Sequence, residues 1–77
     1  MKHNKITVSV DVWAAPGCDT RWSVSEINSD GEEIVCIGGD DTLSEAWAMA
    51  CERAEELGVP ARIVQGDTNE VIREWSP

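Results

Sequence analysis

The sequence predicts a single α+β domain over residues 1–77, a two-layer fold with an antiparallel sheet and one helix packed on one face. Three observations predict it: apolar and polar residues alternate early in the chain, an Ala-rich segment carries apolar residues at helical spacing, and the connections are short and rich in turn residues. The predicted order is β-β-β-α-β-β. The strands are expected over residues 6–13, 20–28, 32–37, 61–65 and 70–75, and the helix over residues 43–57.

The strands are predicted from alternation and from the turns that separate them. Every second residue of the first strand is apolar, which is typical of a half-buried strand. A Pro-Gly step predicts a turn over residues 15–19, and residues 28–31 predict a hairpin turn because Gly31 accepts a positive φ. Two glycines open the run 38–41, which predicts the end of the third strand. Residues 66–69 predict the last turn.

The helix has clear start and stop signals. Thr42 and Glu45 fit a capping box, in which the Thr42 hydroxyl takes a first-turn amide and Glu45 reaches back to the cap amide. Gly58 is placed for a left-handed C′ residue, and Pro60 prevents continuation of the helix. The predicted apolar stripe consists of Leu43, Ala46, Trp47, Ala50, Ala54 and Leu57.

One helix cannot cover both faces of a sheet of four or five strands. The residues expected on the second face are Trp13, Ile27, Val35 and Ile37. An exposed apolar patch of this kind marks a partner surface, and a curled sheet that covers itself is the alternative. Trp22 and Trp47 fit core positions, whereas Trp13 and Trp75 fit either a core edge or an interface anchor.

The three cysteines, Cys18, Cys36 and Cys51, do not form a disulfide framework, and a reducing cytoplasmic location is expected. Cys36 and Cys51 are predicted as small core residues and Cys18 as a turn residue, with a Cys36–Cys51 bridge left open. His3 is the only histidine. The sequence therefore predicts no metal site and no cofactor, since zinc sites use closely spaced thiolates and imidazoles.

The charge balance excludes several classes of protein. Fifteen Asp and Glu residues against six Lys and Arg give a net charge of −9. A nucleic-acid binder needs a basic surface, so direct binding to nucleic acid is not expected. No apolar run is long enough to span a membrane, and no secretory signal pattern is present. With one histidine and no phosphate-binding or dinucleotide fingerprint, the chain is not expected to be an enzyme.

Most carboxylates fall between residues 26 and 56. They either solvate the surface or bind a basic protein surface, in the extreme as a mimic of DNA. On the helix, Glu45, Glu52 and Glu56 share roughly one face, which Arg53 interrupts. The predicted partner-binding residues are Asp30, Glu32, Glu33, Asp40, Asp41, Glu52, Glu55, Glu56 and Trp13.

From Trp22 to Glu74 the chain resembles a small bacterial domain family of unknown function. Its pattern is W-x-V, a hairpin, T-x-x-E-A, an Ala-rich helix ending in G-V, a short strand and a final I-R-E. The matching residues here are Trp22-Ser23-Val24, Asp30-Gly31, Thr42-Leu43-Ser44-Glu45-Ala46, Gly58-Val59, Ile63 and Ile72-Arg73-Glu74. The resemblance implies a fold and no particular activity.

The whole chain also resembles, more loosely, small phage-encoded anti-CRISPR proteins that act on type I systems. The similarity lies in the size, an early T-V-x-V strand at Thr7-Val8-Ser9-Val10, an Asp-Gly hairpin, an Ala-rich helix and a last hairpin. Members of that group bind subunits of the surveillance complex and have no catalytic residues. The resemblance implies a small acidic inhibitor that blocks a nucleic-acid-targeting bacterial complex by binding a CRISPR effector subunit.

The alternative is a housekeeping or structural domain of unknown function that forms a homodimer through its open sheet face. Light scattering on Trp13→Glu or Ile37→Glu variants discriminates between the two. A small-ligand binder is the third class, for which the sequence shows no constellation of ligand-binding residues.

Overall fold

The computed structural model describes residues 5–15, 20–65 and 70–77, which form a five-stranded sheet with one helix across one face. In chain order the elements are β1 (Ser9–Ala14), β2 (Trp22–Ile27), β3 (Glu33–Asp40), α1 (Leu43–Leu57), β4 (Ala61–Val64) and β5 (Val71–Trp75). The predicted α+β class, the element order and the single helix packed on the sheet are confirmed. His3, Cys18 and most of the turns predicted over residues 15–19 and 66–69 lie outside the described residues.

The sheet is mixed, so the prediction of a wholly antiparallel sheet is wrong. The strand order is β3-β2-β1-β4-β5, and β4 lies beside β1 in parallel, with Val12 opposite Ile63. The other three pairings are antiparallel. The physical reason is the helix: α1 carries the chain back along the sheet, so β4 starts from the same end as β1, and a crossover of this kind can join parallel strands.

β3 does not end at Ile37, as its two glycines predicted, but continues to Asp40. The pairing shifts between Val24–Gly38 and Ser25–Cys36, so Ile37 is the extra residue of a β-bulge. Gly38 has a φ of 152°, which favours glycine. The glycines therefore bend and twist an edge strand rather than terminate it.

Gly39 allows the close approach of β3 to β2. A Cβ added at Gly39 would collide with the backbone carbonyl oxygen of Trp22 and with the Thr20 hydroxyl. Glycine is common in strands where another backbone approaches closely.

β1 begins at Ser9, three residues later than predicted. Ser9 is in register with Ile27, the last residue of β2, so the residues before Ser9 extend past the end of their partner strand. The Val8 amide still donates to the Ile27 carbonyl, at 2.8 Å. Ile6 is accordingly 73% exposed.

The core lies between α1 and one face of the sheet. Three alanines at helical spacing are fully buried, and their small side chains let α1 lie close to the strands. Trp22, Trp47 and Trp75 are half-buried against the core. Leu43 and Leu57 are more than a third exposed, so the buried stripe is narrower than predicted. The core residues are Val10, Val12, Val24, Ala46, Ala50, Ala54, Ala61 and Ile63.

Both helix ends form as predicted, apart from one hydrogen bond. The Thr42 hydroxyl accepts from the Glu45 amide at 3.3 Å. The Thr42 amide donates to Asp40 Oδ1 at 3.0 Å, so Asp40 takes the role predicted for the Glu45 carboxylate. Gly58 has a φ of 70°, and the Val59 amide donates to the Ala54 carbonyl.

The hairpin turn between β2 and β3 is also confirmed. The Gly31 amide donates to the Asn28 carbonyl at 3.0 Å, and Gly31 has a φ of 82°. The Asn28 side chain accepts hydrogen bonds from the backbone amides of Asp30 and Glu32, and these bonds stabilise the turn.

Cys36 and Cys51 are both free thiols, with Cys36 exposed and Cys51 half-buried. The predicted core position of Cys36 is wrong because the bulge at Ile37 places Cys36 in register with Ser25, on the sheet face away from α1. Cys51 packs against the core as predicted, and burial raises the pKa of its thiol despite the charge of Arg73.

Candidate functional site

A groove runs between α1 and the edge strand β3, and four carboxylates line it. Its volume is about 440 Å³. Ile37 and Met49, which are half-buried against the core, supply its apolar part. The residues that line this acidic groove are Ile37, Asp40, Glu45, Ala48, Met49, Glu52, Arg53 and Glu56. A concave surface with an apolar part and polar groups around it is the usual form of a binding site.

Helix geometry brings three of the carboxylates to the groove. Glu45, Glu52 and Glu56 are separated by seven and four residues, so they repeat on one flank of α1. Asp40 joins them from the end of β3. The groove thus unites Asp40, Glu52 and Glu56 of the predicted partner-binding set with Glu45, which the sequence placed on the same helix face without assigning it to that set.

The inner wall of the groove depends on Gly38. A Cβ added there would lie 3.0 Å from Met49 Sδ, so the glycine leaves room for Met49 to pack across β3. The bulge next to it directs Ile37 into the groove. The sequence signal for this wall is the glycine pair, which by itself predicts a strand end.

Arg53 is the one cation that the described residues contribute to the groove lining, and it is paired with a buried carboxylate beneath it. Arg53 Nε donates to Glu26 Oε2 at 2.8 Å, and Arg53 Nη1 lies 3.7 Å from Glu56 Oε2. The Thr7 hydroxyl donates to Glu26 Oε1 at 2.8 Å. Glu26 is buried in β2 on the side that faces α1.

Glu26 remains ionised because the interactions with its partners lower its pKa by more than burial raises it. Burial alone would raise the pKa of Glu26, but the hydrogen bonds from Arg53 and Thr7, together with the charge of Arg53, hold that pKa below its ordinary value. The positive charge of Arg53 is therefore largely neutralised by Glu26. The groove keeps the negative charge of its own four carboxylates.

These carboxylates are spread along the groove rather than gathered at one point. Within residues 5–15, 20–65 and 70–77, no group of three His, Cys, Asp or Glu side chains could hold a metal ion. Dispersed charge of this kind suits a row of cationic side chains better than a single metal ion.

Four of the other predicted partner-binding carboxylates lie elsewhere. Asp30 and Glu32 are exposed in the turn between β2 and β3. Asp41 Oδ1 accepts a hydrogen bond from the Arg21 amide at 3.3 Å. Glu55 is exposed on α1 and does not line the groove. The predicted set therefore does not form one surface.

Trp13 and Glu33 lie on the open face, which is the sheet face opposite α1. The polar residues on this face include Ser9, Asp11, Ser23, Ser25, Glu33 and Arg62. Trp13 Nε1 donates to the Ser25 hydroxyl at 3.3 Å, and that hydroxyl donates to Glu33 Oε2. These two predicted partner-binding side chains are thus part of a polar network.

Two of the four residues predicted for an apolar second face lie on the other side of the sheet. Val35 is in register with Glu26 on the side that faces α1, and Ile37 lines the acidic groove. Of the four predicted residues, Trp13 and Ile27 do lie on the open face, both half-buried. The bulge at Ile37 reverses the parity on which the prediction rested, so Val35 and Ile37 do not join Trp13 and Ile27 on the open face.

An ion pair crosses the open face. Arg62 donates to both carboxylate oxygens of Asp11, from Nε at 3.0 Å and from Nη2 at 2.8 Å, and the Ser9 hydroxyl donates to Asp11 Oδ1 at 2.9 Å. The hydrogen bonds to Asp11 raise the pKa of Arg62 despite burial. Sequence reasoning missed this pair because 51 positions separate its two residues.

Comparisons with known proteins add no relatives. No family model, no curated protein and no solved structure matches this chain. Among the residues that the structure describes, no helix is long and apolar enough to cross a membrane.

Proposed function

We propose that this protein binds a basic surface of a partner protein through the acidic groove between α1 and β3. The observation that carries the proposal is the meeting of Asp40, Glu45, Glu52 and Glu56 along one groove. Among the described residues that line it, the only cation is Arg53, which is already paired with Glu26. Lys and Arg side chains of a partner would meet these carboxylates, and its apolar side chains would contact Ile37 and Met49.

The proposal includes a role for the contact. The protein would inhibit a bacterial complex that targets nucleic acid by occupying a basic surface that the nucleic acid or a nuclease subunit needs. Two features support this role: the net charge of −9, which steers the protein towards basic surfaces, and the resemblance to anti-CRISPR proteins of type I systems.

The expected contribution of the groove is moderate. Exposed ion pairs stabilise a contact by about 0.5 kcal/mol each, so three glutamates contribute about 1.5 kcal/mol, which is roughly tenfold in Kd. Salt screens such pairs, so binding should weaken strongly between low salt and 0.5 M salt, at which the Debye length falls to about 4 Å.

The test is a binding measurement against purified type I effector complexes and their separate subunits at both salt concentrations. The groove variant is Glu45→Gln/Glu52→Gln/Glu56→Gln. Its matched control is Asp30→Asn/Glu32→Gln/Glu55→Gln, which removes the same three charges from exposed positions outside the groove.

We expect about tenfold weaker binding by the groove variant and a much smaller loss by the control. Equal losses would show that net charge alone drives the contact and would overturn the role of the groove. Absence of any complex at low salt would overturn the inhibitor proposal.

A further inference from the structure

A second cavity lies on the opposite flank of α1 from the acidic groove. It has a volume of about 360 Å³ and lies between the first half of α1 and strands β4 and β5. The residues that line this Trp47 cavity are Leu43, Ser44, Trp47, Ile63 and Arg73. Small-molecule sites have volumes of about 300–1,000 Å³, so the cavity suits a small ligand.

The walls of the Trp47 cavity are mostly apolar. Ile63 is buried in β4, Trp47 is half-buried against the core, and Leu43 is 36% exposed. An indole and two branched aliphatic side chains favour a ligand with an aromatic ring or a branched hydrocarbon body.

Arg73 is the only charged residue among the described residues that line the cavity. Its register partner on β4 is Ile63, which places Arg73 on the side of the sheet that faces α1. Its guanidinium carbon lies 5.5 Å from the centre of the Trp47 ring. A guanidinium held over an aromatic ring uses its flat face for that contact and keeps its in-plane N–H groups for an acceptor.

No carboxylate within the described residues takes up the charge of Arg73. Arg53 and Arg62 are ion-paired with Glu26 and Asp11, whereas Arg73 has no ion pair in the described part of the chain. Its neighbour Glu74 is in register with Arg62, on the other face of the sheet. A cation that is held over a ring and has no ion pair within the described residues is, at an apolar cavity, the complement of an anionic head on an apolar body.

We propose that the Trp47 cavity binds a small monocarboxylate with an aromatic or branched apolar body. The carboxylate accepts hydrogen bonds from Arg73, and the apolar body lies against Trp47 and Ile63. A single negative charge fits better than a phosphate dianion because the protein already carries a net charge of −9. The proposal is independent of the acidic groove, which lies on the other flank of the helix.

The test is a titration of the full chain with phenylacetate, with the neutral phenylacetamide as the matched control ligand. Proton–nitrogen spectra report on the Trp47 indole N–H and on the backbone amides of Leu43 and Ser44. We expect saturable shifts of these signals with phenylacetate and about tenfold weaker binding of the amide, because the charge-assisted hydrogen bonds to Arg73 are lost.

Two variants that each remove one exposed cation complete the test. Arg73→Gln should weaken phenylacetate binding about tenfold, whereas Arg21→Gln, at a position that does not line the cavity, should change it less than about twofold. The Glu45→Gln/Glu52→Gln/Glu56→Gln variant should bind phenylacetate no more weakly than the unmodified protein does, because it removes only negative charges and none from the cavity lining.

Three results would overturn the proposal: no saturable shift, equal binding of acid and amide, or equal losses in Arg73→Gln and Arg21→Gln. The comparison of acid with amide uses the unmodified protein, so it holds even if Arg73→Gln is unstable. None of these results bears on the binding of a basic partner, so the two proposals fail separately.

Discussion

The ion pair between Asp11 and Arg62 leads to the sharpest stability prediction. The change Asp11→Asn keeps the shape of the side chain but replaces one carboxylate oxygen with an NH₂ group. At present Asp11 accepts three hydrogen bonds, two from Arg62 and one from Ser9, and is only 5% exposed. In the variant the new NH₂ group faces other donors, so at least one of these bonds is lost.

The magnitude follows from burial and exposure. A hydrogen bond to a charged group contributes about 1.5–3 kcal/mol, and the loss of a charge from a buried pair costs about 3–5 kcal/mol. The Arg62 side chain is 32% exposed, so in the variant water can still solvate its charge and reduce that cost. We therefore expect the free energy of unfolding to fall by about 2–3 kcal/mol. A chain of 77 residues has a total stability of about 4–12 kcal/mol.

The assay is urea unfolding at pH 7, followed by tryptophan fluorescence. The urea midpoint should fall with an unchanged slope, and the melting temperature should fall by about 10–20 °C. Asp30→Asn is the matched control, since it makes the same chemical change in an exposed turn and should stay within about 0.5 kcal/mol of the unmodified protein.

Two results would refute this reasoning. One is an Asp11→Asn variant as stable as the Asp30→Asn control. The other comes from a double-mutant cycle with Arg62→Gln: additive effects would show that the two side chains do not stabilise each other, whereas we expect a clear coupling energy.

The remaining predictions concern Glu26 and Gly39. Glu26 has a folded pKa below its ordinary value, so its contribution to stability is present above the glutamate pKa of unfolded chains, about 4.3, and is lost as the pH falls through the folded pKa. The urea midpoint of Glu26→Gln should therefore lie below that of the unmodified protein at pH 7 and approach it in acid; a gap that stays constant with pH would contradict the role of ionised Glu26. Gly39→Ala should cost about 1–3 kcal/mol in urea unfolding, because its Cβ meets the Trp22 carbonyl oxygen. Gly31→Asn, where nothing lies within 4 Å of an added Cβ and asparagine tolerates positive φ, should cost clearly less, and equal costs would argue against the steric explanation.

The acidic groove shows which parts of a site can be predicted from residue spacing and which cannot. The helical spacing of Glu45, Glu52 and Glu56 is enough to place them on one flank of α1. That flank becomes one wall of a groove only because β3 extends past Ile37 and carries Asp40 to the same place. The glycine pair that permits this extension has the same local sequence as a turn, and only its pairing with β2 distinguishes the two.

The Trp47 cavity shows the opposite case, in which the sequence carried no signal. Trp47 lies on α1 and Arg73 on β5. An apolar residue in a helix and a charged residue in a strand are both common, so neither position by itself predicts a site. Their contact depends on the position of β5 beside β4, and so on the parallel placement of β4 beside β1. A cavity that is assembled from residues far apart in the chain leaves no local pattern in a single sequence.

The sequence by itself determined the features that depend on near neighbours in the chain. The helix from Leu43 to Leu57, its cap at Thr42, the left-handed residue at Gly58 and the hairpin turn ending at Gly31 all follow from signals within a few residues. It also determined the excess of negative charge. Local hydrogen bonds and backbone preferences set these features, and their energies change little with the rest of the fold.

Only the tertiary structure decided the strand order, the parallel pair of β1 and β4, the Asp11–Arg62 ion pair and the two cavities. The physical reason is register. A bulge of one residue in β3 reverses which side chains face α1, and this reversal separates Val35 and Ile37 from Trp13. Such choices depend on contacts between residues far apart in the chain, which compete across the whole sheet and leave no pattern in any one segment.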